Sequence, residues 1–304
     1  MLTSLLISVA GCSKQEGDFY TEGSNTYKLY FLGGQSNMDG YGYVAELPDE
    51  LRMPVDRVMI FKGHSALDDN DGGEGVWAPL QPGFGRGAET DGKTIRLSDR
   101  FGPELTFGLS LSSDQPGTRI ALIKYSLGGS GLAPGIGYGS WHPTNRNGKN
   151  VNQYDHALNT IRNALGEADI DSDGAPDRLV PSGIIWMQGE SDANQSQKVA
   201  DAYKGNLTRL MQFLRAAMGV DSLPIVIGKI TDSGMAEDGT VMDYIATVQT
   251  AQSAFADEDK CARLVSVTDE LIYRDDAWHY DTDGFIRLGS AFAEASLELE
   301  KTCP

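Results

Sequence analysis

The stretch Phe31–Gly40, FLGGQSNMDG, is where the chain changes character. It closes the apolar run Tyr27–Leu32 and turns at once into glycines and short polar residues. A run without polar alternation, ended by glycine, reads as a strand buried on both faces that stops at a sharp turn. Glycines ahead of Ser36 permit that turn, and a strand end would carry the hydroxyl toward solvent.

Working outward, further short apolar runs fall at Arg57–Phe61, Arg119–Tyr125, Gly183–Met187, Pro224–Ile230 and Leu264–Val267. Helical patterns fall between and after them, at Glu104–Ser112, Tyr154–Ala168, Gln197–Met218, Val241–Ala256 and Asp283–Glu300. In the third, Ala202, Leu207, Leu210, Phe213, Leu214 and Ala217 recur near helical spacing. Strand–helix alternation predicts one doubly wound α/β domain, a three-layer α/β/α sandwich on a mostly parallel sheet. Sites in such sheets lie beyond the carboxyl ends of the strands. The segments 64–93 and 127–150 read as long loops that would rim a pocket.

A serine needs a base, and the base needs an orienting group. The chain has four histidines. His156 lies in a helical pattern and reads as a packing or surface residue, whereas His64 and His142 lie in loops and could serve. His279 sits in RDDAWHYDTDG (274–284), three residues after Asp276. In a compact turn that spacing brings a carboxylate to the imidazole, although the same aspartates would also suit capping of the last helix. Ile184–Asp192, IIWMQGESD, ends another strand with Gln188 and Glu190. A side-chain amide there, or a backbone N–H of the glycine turn 125–131 (YSLGGSG), could donate to an oxyanion.

The blocks GQSNM (34–38), KYSLGG (124–129), WMQGE (186–190) and DAWH (276–279), with FGPE at 101–104, occur in the order found in the SGNH-hydrolase superfamily. They resemble its branch of sialate O-acetylesterase-like and family 6 acetylxylan esterases over about residues 27–292. The resemblance implies Ser36 as nucleophile, His279 as general base and acid, and Asp276 as its orienter. It implies an oxyanion hole from the Ser36 and Gly129 N–H groups and the Gln188 amide, with Glu190 as the alternative acid. It implies an acetylated saccharide as substrate, and the catalysis needs no metal or other cofactor. Trp141, Trp278 and Tyr138 stand near these motifs and would offer faces to a sugar ring, while Trp186 and Trp77 also suit a core.

DIDSDGAPD (169–177) is a second constellation. Asp169, Asp171, Asp173 and Asp177 with Gly174 resemble the first half of a calcium loop, but its twelfth position is Val180 rather than Glu. A shorter structural calcium turn is the expectation, against a solvated acidic loop.

Residues 1–11 read as a lipoprotein signal, Val9–Cys12 as a lipobox with Cys12 lipidated, 12–26 as a tether and 27–304 as the domain. No Lys or Arg occurs in residues 1–4, which departs from that pattern. This places the protein at a bacterial cell envelope, touching membrane only through Cys12. The two remaining cysteines, Cys261 and Cys303, then suit a disulfide in an oxidising compartment. The formal charge of −18, from 25 basic and 43 acidic residues, repels phosphate backbones and excludes nucleic acid as partner. Two rivals remain: a non-catalytic carbohydrate-binding surface lipoprotein, and an esterase for non-sugar acyl esters.

Overall fold

The structure is a computed structural model and describes residues 25–145 and 151–303. Seven strands form the central sheet: β1 Thr26–Gly34, β2 Val58–Lys62, β3 Trp77–Pro79, β4 Arg119–Ser126, β5 Arg178–Met187, β6 Ile225–Gly228 and β7 Ala262–Val265. Their order is β7-β6-β5-β1-β4-β2-β3. Every neighbouring pair is parallel except β2 with β3. From β1 the chain travels to one side, then from β4 crosses back and fills the other. That reversal leaves a crevice at the carboxyl end of β1, where Ser36 follows.

The helices are α1 Ser36–Asp39, α2 Glu104–Asp114, α3 Gln153–Gly166, α4 Glu190–Ala193, α5 Gln197–Met218, α6 Ile245–Glu258 and α7 Thr282–Thr302. α2 packs on α7, and α5 packs on both α3 and α6. Covered on both faces, Leu29–Leu32 of β1 are essentially free of solvent, as an unalternated apolar run requires. α5 is bounded as expected. The Ser196 hydroxyl accepts the Val199 N–H at its start, and Gly219 takes the left-handed conformation at its end. Its buried stripe is Ala200, Tyr203, Leu207, Leu210, Met211, Leu214 and Met218, so Phe213 faces outward, against expectation.

The segment 64–93 is not one loop. Trp77–Pro79 adds an antiparallel edge strand, and Glu89–Thr90 pairs with Ile95–Arg96. The expected disulfide is present, Cys261–Cys303. It fastens the end of α7 beside the start of β7. The signal segment, Cys12 and the tether through residue 24 lie outside the described residues, and Thr26 already belongs to β1. Among the described residues, no helix is long and apolar enough to cross a membrane.

Candidate active site

Ser36 opens a single helical turn directly after β1. The approach is tight: a Cβ at Gly34 (φ +150°) would lie 2.0 Å from the Met187 carbonyl oxygen of β5, so only glycine fits. The turn is fixed by Gln35 N–H donating to Met187 O (3.0 Å) and Gly40 N–H donating to Ser36 O (2.8 Å). Beneath it lies a fully buried ion pair. Lys124 Nζ contacts Glu104 Oε2 at 2.7 Å and donates to the carbonyls of Asp39 (2.9 Å) and Phe84 (3.0 Å). Glu104 Oε1 accepts the Gly102 N–H. The lysine and glutamate of the KYSLGG and FGPE blocks therefore hold up the serine turn from below.

The Gly128–Gly129 turn after β4 stands over Ser36: a Cβ at Gly128 would lie 3.5 Å from the Ser36 Cβ. Gly129 adopts φ +69°. Among the described residues, neither the Ser36 nor the Gly129 N–H has an acceptor.

His279 and Asp276 meet in one local turn. Asp276 Oδ1 accepts the N–H groups of Trp278 (2.9 Å) and His279 (3.0 Å), and Oδ2 lies 2.8 Å from His279 Nδ1. Burial pushes the Asp276 carboxyl up, but those three hydrogen bonds together overcome it and hold it below the usual aspartate range. Burial lowers His279 more than Asp276 raises it, so the imidazole is neutral at neutral pH and able to accept a proton. The aspartate that caps α7 is Asp281, which accepts the Gly284 N–H at 2.7 Å; capping and orienting fall to different residues. Tyr41, which sequence reading missed, stacks on the imidazole with ring centroids 3.6 Å apart and planes 4° apart.

Glu190 makes no hydrogen bond or ion pair with His279. Its buried carboxylate accepts from Asn37 Nδ2 at 2.8 Å, and that amide also donates to Trp278 O at 3.1 Å. Burial raises the Glu190 pKa. The residue thus ties the serine turn to the backbone just before His279.

Gln188 requires a correction. Its amide does not reach the cleft. It is fully buried, and Nε2 donates to Asp192 Oδ2 (2.7 Å), Ser130 O (3.2 Å) and Gln35 Oε1 (3.3 Å). Asp192, one helical turn onward, competes for the amide and wins. That carboxylate also accepts the Leu132 and Ala133 N–H groups, and burial raises its pKa to about 6. The amide that lines the cleft is Gln35. Its oxygen accepts from Gln188 and from Ser191 N–H (3.3 Å), while its nitrogen has no acceptor among the described residues.

Ser36, His279, Gln35, Gly128 and Gly129 line one cleft of about 540 Å³. Tyr138, Trp278, Arg86, Asn194 and Gln195 form more of its wall. Trp141 is not among them: it is fully buried, donates to Ser130 Oγ and meets Trp186 edge-on. Trp186 and Trp77 are core. His64, His142 and His156 lie outside the cleft; His156 is buried beside Tyr125 and His142 contacts Arg209.

The aspartate loop lies at the opposite, amino end of the sheet. Carboxylate oxygens of Asp169, Asp171 and Asp177 come within 4.8 Å of one another, a spacing able to hold a cation. Asp173 is outside this group; its oxygen accepts the Ala175 N–H. Asp171 is already engaged with Arg119 (2.9 Å) and the Tyr27 hydroxyl (2.7 Å). Burial raises the Asp177 pKa, with the neighbouring aspartates adding to it.

Residues 26–298 match the family described as carbohydrate esterase, sialic acid-specific acetylesterase. The chain belongs to this family. It is 31% identical over 115 residues to a probable carbohydrate esterase of Arabidopsis thaliana. That alignment covers 38% of this chain and 39% of the relative, so it spans about two-fifths of the relative's length. The fold matches an Arabidopsis thaliana protein structure (TM-score 0.62, 20% identity, 92% of this chain and 100% of that one). It also matches a Xanthomonas citri carbohydrate acetylesterase (0.61, 17%, 90% and 56%) and NanS (0.58, 16%, 91% and 98%).

Proposed function

We propose that this protein is a serine esterase that removes O-acetyl groups from carbohydrates through an acyl-enzyme. The observation that carries the reading is one cleft lined by both Ser36 and an imidazole whose Nδ1 is held by Asp276. Ser36 Oγ attacks the acetyl carbonyl while His279 Nε2 takes its proton, and Asp276 stabilises the imidazolium that forms. The oxyanion is received by the two free backbone N–H groups, of Ser36 and Gly129. The Gln35 amide nitrogen takes the part expected of Gln188. His279 returns the proton to the departing sugar alcohol. Water, deprotonated by the same imidazole, then attacks the acetyl-enzyme, releasing acetate and restoring Ser36.

Because burial holds the His279 pKa down, activity is expected to be full at neutral pH. It should fall on acidification with a midpoint below about 6.5, the ordinary imidazole value. Family membership supports a carbohydrate ester as substrate. Acetylated xylan and O-acetylated sialic acids both fit it, and acetate release from each separates them.

The deciding experiment compares aryl acetate, butyrate and octanoate with wild type and Ser36→Ala. The reading requires acetate preference and a loss of roughly 10³-fold or more in the variant. Turnover that survives the substitution would remove Ser36 as nucleophile, and wild type that releases no acetate would instead favour a sugar-binding protein with no ester chemistry of its own.

A further inference from the structure

We propose that Tyr41 is a positioning residue for the general base: its ring fixes the rotation of the His279 imidazole so that the nitrogen not held by Asp276 is presented to Ser36. The inference rests on the esterase reading above.

Asp276 holds His279 by one nitrogen, and a single hydrogen bond leaves the ring free to tip about it. A flat surface against one face removes that freedom. The Tyr41 ring supplies it, 3.6 Å away and 4° from parallel. Every other aromatic pair among the described residues is inclined by 41–86°.

Tyr41 is itself held. Its carbonyl accepts Arg100 Nη1 at 2.8 Å, and the preceding Gly40 (φ +97°) lies so close to Gly102 that a Cβ would come within 2.2 Å of it. Its hydroxyl has no hydrogen-bond partner among the described residues, so the geometry employs the ring face. Tyr41 also follows directly on the turn that carries the nucleophile, so one short segment locates both reacting groups.

The test uses Ser36-dependent hydrolysis of aryl acetate by Tyr41→Phe and Tyr41→Leu. Phe keeps the ring and is expected to stay within about two-fold of wild type. Leu should lower kcat roughly ten-fold with KM little changed, because the imidazole is present but poorly aimed. The pH profile supplies a second readout. The charged groups acting on the imidazole are Asp276, Arg274 and Asp39, with Arg86 on the same cleft wall; all persist in both variants. Leu admits water to the ring face and relieves the desolvation that lowers the imidazole pKa. The acid limb of kcat/KM should therefore move to higher pH in Leu and stay put in Phe.

A Leu variant with wild-type kcat and an unmoved limb would overturn the proposal, as would a Phe variant as impaired as Leu. If melting shows Leu unfolded, Tyr41→Met carries the same contrast. A silent Leu variant beside an inactive Ser36→Ala sinks the positioning role alone; an active Ser36→Ala sinks the esterase reading instead.

Discussion

Both ends of the sheet are rich in carboxylates, and they are used differently. At the amino end, Asp169, Asp173 and Asp177 spend oxygens on N–H groups of their own loop. At the carboxyl end, Asp276 begins in the same way, with one oxygen on two N–H groups of its own turn. Its second oxygen, however, meets a side chain that opens on a cleft. Glu190 and Asp192 reach segments far away in sequence, the serine turn and the loop at Leu132–Ala133. Oxygens spent on N–H groups of their own loop shape a turn; those left over meet side chains, Arg119 and Tyr27 for Asp171 at the amino end and, at the carboxyl end, the imidazole that opens on the cleft.

This contrast predicts that changes to Asp276 and Glu190 at the carboxyl end cost activity at nearly constant stability, and that changes at the amino end do the reverse. Asp276→Asn should give the largest effect, a fall in kcat of about 10²–10⁴-fold, since an amide cannot hold the imidazole in its working tautomer. Glu190→Gln should cost less, because Glu190 braces the turn without a hydrogen bond to His279. Rates showing the opposite order would reassign the acid. Lys124→Met tests the support beneath the cleft. Leaving Glu104 buried and unpaired should cost about 3–5 kcal/mol in a denaturant titration, with activity falling too.

At the other end, replacing both Cys261 and Cys303 by serine should cost about 2–4 kcal/mol while leaving kcat unchanged; a lost rate would mean the two ends are mechanically linked. The smallest effect concerns the proposed calcium at the aspartate loop. Calcium at ten times its Kd should add about 1.4 kcal/mol, a rise in Tm of about 2–4 °C over chelator, and an unmoved melt would leave the loop to its own hydrogen bonds.

Much of this was legible in the residues. Buried parallel strands announce themselves as unalternated apolar runs, and β1 with its glycine stop located Ser36. Asp276 and His279 are three apart, so their contact is a property of one turn and could be read locally. Four features could not. The side chain of Gln188 is directed by Asp192, a nearer and stronger acceptor than any cleft group, and only the folded positions reveal that competition. Trp141 lies in a glycine-rich loop yet is buried by Trp186, a contact made by tertiary packing. The stack of Tyr41 on His279 joins residues from opposite ends of the chain, and nothing in the composition around Tyr41 marks it as an aromatic brace. The edge strand Trp77–Pro79 was hidden by its shortness and its proline.

The closeness of β1 and β5 at Gly34 has a bearing on how this cleft can be redesigned. Since the chain there has no room even for a methyl group, the Ser36 segment is a fixed frame and random substitution through 33–40 would mostly yield misfolded clones. Diversity aimed at new acyl or alcohol groups belongs instead at Tyr138, Asn194 and Gln195, which share the cleft without carrying its chemistry.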